Sequence, residues 1–147
     1  MKKNAFLLLL ASFTLINLSS CSKDDDDNNG GGGGTPSPTT NTTKLCNKNW
    51  KIVGLTVDGT DLLPLIPGCQ LDNLFKFITD GSLVYDEGAT KCDPNDPQTT
   101  SGTWSWASNE TKLVIDGDTS DVVTNSGTVL KLSVDDGTSL TEITFGL

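Results

Sequence analysis

Apolar positions along the chain fall into two regimes. From Ala5 to Leu18 they form one nearly unbroken block, and after a long polar interval they return beyond Lys44 only as short runs between turn residues. No stretch of the second regime keeps an apolar period of 3.6. Its runs are instead rich in Val, Ile, Thr and aromatics and alternate apolar with polar, which is the period of half-buried strands. The runs predict strands at Trp50 to Val57, Leu74 to Thr79, Ser82 to Asp86, Thr99 to Ala107, Lys112 to Asp116, Ser120 to Asn125, Thr128 to Asp135 and Ser139 to Phe145. A prolinated stretch, Thr60 to Gly68, follows the first strand, and Cys69 to Asn73 fits one helical turn. Asp80-Gly81 predicts a type I′ hairpin, because that turn needs positive φ and this pair tolerates it; Asp136-Gly137 gives a second hairpin signal.

Eight strands joined in order by mostly short links predict an all-β fold, an eight-stranded antiparallel up-and-down barrel whose closure removes exposed edges. Such a barrel has room for packed side chains or for one small ligand. Alternation assigns Phe75, Phe77, Leu83, Tyr85, Trp104 and Trp106 to its inner face, with Leu113, Ile115, Leu130, Leu132, Val134, Ile143 and Phe145. In the first strand Trp50 and Ile52 compete for that face with Val53, Leu55 and Val57.

The N-terminal block has another use. Lys2 and Lys3 precede it, and its fourteen residues would make a helix of about 21 Å, short of the roughly 30 Å of a hydrocarbon core. A charged start and a short apolar stretch make an export signal over residues 1–20. The block ends in Leu18-Ser19-Ser20-Cys21, which resembles the lipobox of bacterial lipoproteins, and that resemblance implies acylation of Cys21. Ser22, Lys23 and Asp24 to Asp27 are similar to the lysine-plus-acidic export signal of Bacteroidetes surface lipoproteins, which implies a lipid-anchored, surface-exposed place at the bacterial outer membrane. An acidic run beside a membrane also serves as a self-repelling spacer. Residues 21–43, rich in Gly, Pro and Thr, lack the apolar side chains that offset ordering entropy, so they are expected to be a disordered tether. A coil of that length spans about 25 Å on average and about 75 Å when stretched.

This leaves Lys44 to Leu147 as one domain with one core. It holds seven lysines against fifteen acidic residues, with neither arginine nor histidine. That balance argues against nucleic acid, which needs a basic footprint, and against docking onto anionic lipid head groups. Lack of histidine removes the commonest general base and metal ligand. No nucleophile elbow, paired base or glycine-rich phosphate loop is present, so no catalytic residue and no enzyme activity is expected. Asp116-Gly117-Asp118 with Asp121, and Asp93 with Asp96, have the oxygen density that calcium favours, but neither has the spaced ligand set of a calcium loop. Asp with Gly is also what ordinary turns need, so no metal or cofactor is assigned.

With Cys21 given to lipid, Cys46, Cys69 and Cys92 remain in an oxidising compartment. Three pairings are open, each leaving one thiol; Cys69 with Cys92 is favoured because both lie in connections flanking a hairpin. Trp50, Cys69, Phe77 ahead of Asp80-Gly81, Cys92 and Gly102-Thr103-Trp104 together resemble the lipocalin-like domains of Bacteroidetes lipoproteins. The resemblance implies a lipocalin-like barrel with Cys69 bridged to Cys92. Lipocalins carry Gly-x-Trp at the first strand, whereas here Lys48 stands two residues before Trp50. Two functions follow as expectations: a small apolar or amphipathic ligand inside the barrel, walled by Phe77, Tyr85, Trp104 and Trp106, or a non-enzymatic interaction module that meets a protein or glycan through loops such as Thr60 to Gly68 and Glu87 to Gln98.

Overall fold

The computed structural model describes residues 39–147; Cys21, the export signal and most of the tether lie outside them. The described chain opens with helix α1 (Thr40–Leu45), which begins inside the segment that composition assigns to the tether. Thr39 caps it, its hydroxyl accepting from the Thr42 N–H at 3.3 Å. Nine strands follow: β1 (Lys51–Val57), β2 (Thr60–Asp61), β3 (Leu74–Phe77), β4 (Ser82–Asp86), β5 (Thr99–Ala107), β6 (Lys112–Ile115), β7 (Asp118–Asn125), β8 (Val129–Asp135) and β9 (Leu140–Gly146), with a 3-10 turn at Leu63–Leu65 and helix α2 (Gly68–Leu71) between β2 and β3.

All nine strands form one antiparallel sheet in the order β2-β1-β9-β8-β7-β6-β5-β4-β3. The expected all-β meander is present, but the closed eight-stranded ladder is not. The count differs because Asp58 and Gly59 both take positive φ and fold Thr60–Asp61 back onto Thr56 and Val57 as an extra strand. β2 and the Leu62 N–H, bonded to the Leu55 carbonyl at 2.8 Å, occupy the far half of the free edge of β1. The segment just ahead of β1 meets β3: Trp50 exchanges two backbone hydrogen bonds with Phe75, at 2.9 and 2.8 Å. The Asn47 N–H adds a bond to the Phe77 carbonyl at 2.8 Å.

Turn chemistry also sorts differently from expectation. Type I′ geometry, with both central φ positive, belongs to Asp58-Gly59 and Asp116-Gly117, where two residues separate the paired strands. At Asp80-Gly81 only the glycine has positive φ. The Gly81 N–H bonds the Ile78 carbonyl and the Ile78 N–H bonds the Ser82 carbonyl, which makes a three-residue loop with the glycine at its last position.

One face of the sheet carries the core. Ile52 pairs with Phe145, which pairs with Leu130; Trp106 pairs with Leu113, Trp104 with Ile115, Phe77 with Leu83 and Phe75 with Tyr85. The buried members among these sit in one cluster with Leu45, Cys46, Trp50 and Leu132. The competing phases of β1 each hold in part, the first up to Ile52 and the second from Leu55 onward. A bulge between Ile52 and Gly54 inserts Val53, so Leu55 pairs with Ile143 on the same face as Ile52, and Val53 turns to solvent. A second bulge does the same to Val123 in β7.

Each of the three indoles satisfies its N–H by binding another element: Trp50 to the Leu45 carbonyl (2.8 Å), Trp104 to the Ile78 carbonyl (2.8 Å) and Trp106 to the Thr42 hydroxyl (2.9 Å). Two of these bonds, with that from the Asn125 amide to the Asn41 carbonyl (3.0 Å), fasten α1 across one end of the sheet. Replacing Trp50 with Phe keeps most of the ring volume but leaves the buried Leu45 carbonyl unpaired, and urea denaturation should show a loss of about 1–3 kcal/mol. Trp106→Phe frees only a half-exposed hydroxyl and should cost less.

Candidate functional site

An up-and-down sheet sends alternate connections to opposite ends. Here α1 packs where β1 begins and β7 finishes, and the turns after β3, β5 and β7 lie at that end. The opposite end gathers Asp58-Gly59, residues 62–73, residues 87–98, Asp116-Gly117 and residues 136–139. We call this second set of loops the crown.

The two longest connections of the crown are fixed to each other. Cys69 in α2 is disulfide-bonded to Cys92, with Cα atoms 5.2 Å apart. The Asp72 carboxylate accepts from the Ala89 and Thr90 N–H groups at 3.0 and 2.9 Å. The Asn73 amide, oriented by its partners, donates to the Glu87 and Cys69 carbonyls. Gly88, at positive φ, lies so close to the Asp72 carbonyl that any side chain there would collide with it. Gln98 spans the base of the loop, its amide donating to Asp86 at 2.7 Å and to the Gly88 carbonyl at 2.9 Å, while the Lys91 ammonium donates to the Asp96 carbonyl at 2.7 Å. Leu63 and Ile66 turn inward onto the core, leaving Leu65 at the tip of the 3-10 turn 77% exposed.

Between crown and core, Tyr85 donates to Asp116 at 2.6 Å and Asp116 also accepts from the Thr103 N–H at 2.7 Å. Burial first, and then this hydrogen bond to a carboxylate, holds the Tyr85 hydroxyl well above its usual range. The arrangement needs Gly102, where a β-carbon would stand 2.6 Å from the Asp116 carboxylate and 2.7 Å from the Tyr85 ring. Asp136 caps its turn by accepting from Thr138 and Ser139, which lowers its carboxyl to about 2.

The expected wall residues lie together. Phe77 and Trp104 are buried and meet edge to face at 5.7 Å; Trp104 meets Trp106 at 5.8 Å, and Tyr85 meets Phe75 at 5.5 Å. The rings therefore pack on one another within the core. A depression of about 310 Å³ is lined instead by Asn49, Leu74, Lys76, Ile78, Val84 and Asp86, on the outer side of β3 and β4. Three of the five carboxylates weighed for calcium are held by protein donors: Asp116 by Tyr85 and Thr103, Asp121 by Lys112 at 2.6 Å, and Asp93 by Asn95. Among the described residues, no group of three or more His, Cys, Asp or Glu is placed to hold a metal ion. What residue-by-residue reading missed is the gathering of loops at one end, which the parity of the strand order could have revealed.

No protein-family model matches the chain, and no curated protein matches it in sequence.

Cys46 is the free thiol among the described residues; burial and, secondarily, the Asp80 charge push it up to about 11. A raised folded-state value means that its stabilising contribution is complete below the unfolded thiol's 9.0 and is lost as pH climbs toward about 11. The difference in urea stability between wild type and Cys46→Ala should therefore stay flat to that lower value and shrink above it. For the clamp, Cys69→Ser with Cys92→Ser opens a loop of 23 residues and should cost about 3 kcal/mol on the chain-entropy view; reductant should lower the wild-type thermal midpoint and leave the double variant unmoved.

Proposed function

We propose that the chain is a bacterial lipoprotein, anchored through Cys21 to the outer membrane, whose head is a lipocalin-like barrel closed at the Trp50–Phe75 bridge. The head works as a non-enzymatic interaction module, meeting a protein or glycan partner through its crown. The observation that carries this reading is the crosslinking of residues 62–73 to residues 87–98 by a disulfide and three hydrogen bonds, two to the Asp72 carboxylate and one from Asn73 to the Glu87 carbonyl. A loop surface held rigid before binding loses little entropy when a partner arrives, and an exposed leucine at its tip offers an apolar anchor.

The other expectation, a small apolar or amphipathic ligand within the barrel, requires wall aromatics that face free space. Phe77 and Trp104 are buried against each other and Trp104 against Trp106, so the crown is the better-supported surface. Two measurements test the choice. On glycan arrays and against intact cells, binding by the chain should fall at least about tenfold in Leu65→Asp, the loss of one well-packed anchor, and stay unchanged in Ser101→Asp on the outer face of β5. Native mass spectrometry of the protein from its own cells should show the bare polypeptide mass plus acyl chains. A stoichiometric apolar molecule bound to it, with Leu65→Asp without effect, would replace this reading by the ligand one.

A further inference from the structure

The domain's charges are sorted along its length in a way that net charge conceals. Eleven of the fifteen described carboxylates stand on the crown or on the strand ends that feed it. At the opposite end, where α1 joins the sheet, stand Lys44, Lys48 and Lys51, and neither ion pair among the described residues uses them; those pairs are Lys112–Asp121 and Lys131–Glu142. Lys48 donates to the Gly127 carbonyl at 2.6 Å, with its ammonium 5.9 Å from the centre of the Trp50 ring. Lys44 packs against the same glycine. Lys51 is exposed and stands in one cross-strand row with Gly146 and Val129 on the outer face of the sheet.

That row is also apolar. Gly146 has no side chain to stand in the way, and Val53, turned outward by the bulge, lies across it; a β-carbon at Gly146 would be 3.2 Å from a Val53 methyl. Val53, Val129 and Leu147 are 52%, 39% and 61% exposed. Three ammonium groups beside three exposed aliphatic side chains, at the end remote from most of the carboxylates, form the surface that an anionic lipid interface accepts: cations reach the head groups while small apolar groups enter the boundary layer. The overall negative charge, which argues against such docking for a uniform particle, is carried mostly at the other end.

We infer that the Lys44, Lys48 and Lys51 end, with Val53, Val129 and Leu147, is a docking face for the anionic lipid surface to which the chain is tethered, so that the crown points away from it. This orientation rests on the anchored-lipoprotein reading, whereas the affinity of the face for anionic lipid does not. Each lysine near such a surface strengthens binding by about fivefold. Three hold a free protein only weakly, enough to detect at low salt where screening is small, and suffice to orient one already held by lipid.

The test uses the chain from Ser22 onward, without signal or acyl group, sedimented with phosphatidylcholine vesicles with and without phosphatidylglycerol at low salt. Binding should appear only with the anionic lipid and weaken as salt rises. Lys51→Glu should reduce it at least about tenfold and Val129→Ser should reduce it less, while Lys91→Glu, the same charge change in the crown, should have little effect; Lys51 and Val129 are on the outer face and Lys91 on a surface loop, so the fold should survive. Absence of binding to anionic vesicles, equal binding to neutral ones, or equal loss with Lys91→Glu would overturn the proposal. Acylation is tested separately, by the mass of the N-terminal peptide: finding acylated Cys21 with no vesicle binding would sink the docking face and leave the anchor standing.

Discussion

The fold depends on how Trp50 is accommodated. Its side chain is fully buried, and a buried indole must find an acceptor for its N–H; here that acceptor is the last carbonyl of α1, at Leu45. Its backbone meets Phe75 at the free edge of β3. One residue thus ties the N-terminal helix, the first strand and the far edge of a nine-stranded sheet. Lys48, two residues earlier, reaches over the same ring to the β7–β8 turn. The core cluster between Phe145 and Phe77 would have two ragged edges if this junction were absent, because β1 and β3 have no other strand-to-strand pairing with each other.

Much of this was legible in the residue pattern. Strict alternation in β3, β4, β8 and β9 placed Phe75, Phe77, Leu83, Leu130, Leu132 and Phe145 on one face because each strand there is regular and half-buried. Where a bulge intervenes, period-two reasoning loses phase, which is why Val53 and Leu55 seemed to compete with Ile52. The Asp-Gly pairs marked turns but not their type, since the type depends on how many residues lie between paired positions, and that is set by the register of the flanking strands. Helix α1 was hidden for a different reason. Its Thr-Asn-Thr-Thr start has poor helix propensity, and the bonds from Trp106 to Thr42 and from Asn125 to Asn41 that hold it are tertiary.

The surfaces were less legible than the core. Composition supplies a net charge of one sign, but a meander sorts its loops by parity, and the acidic turns fall mostly on the connections that share the crown. The disulfide acts within that same end, where Cys69 and Cys92 join the two connections too long to be rigid alone. The molecule then has a clamped, acidic, loop-built end and a lysine-bearing end beside the point where the described chain begins. For a head tethered as proposed, this polarity is a reason to present one end rather than the other.

The Trp50 junction is a structural joint and not a loose contact. Native-state amide hydrogen exchange tests it directly, because the N–H groups of Trp50 and Phe75 bond each other's carbonyls. Both amides should exchange only through global opening, as slowly as those in the β8–β9 ladder. Exchange of Trp50 and Phe75 as fast as the exposed turn at residues 136–139, with the β8–β9 ladder still protected, would contradict it.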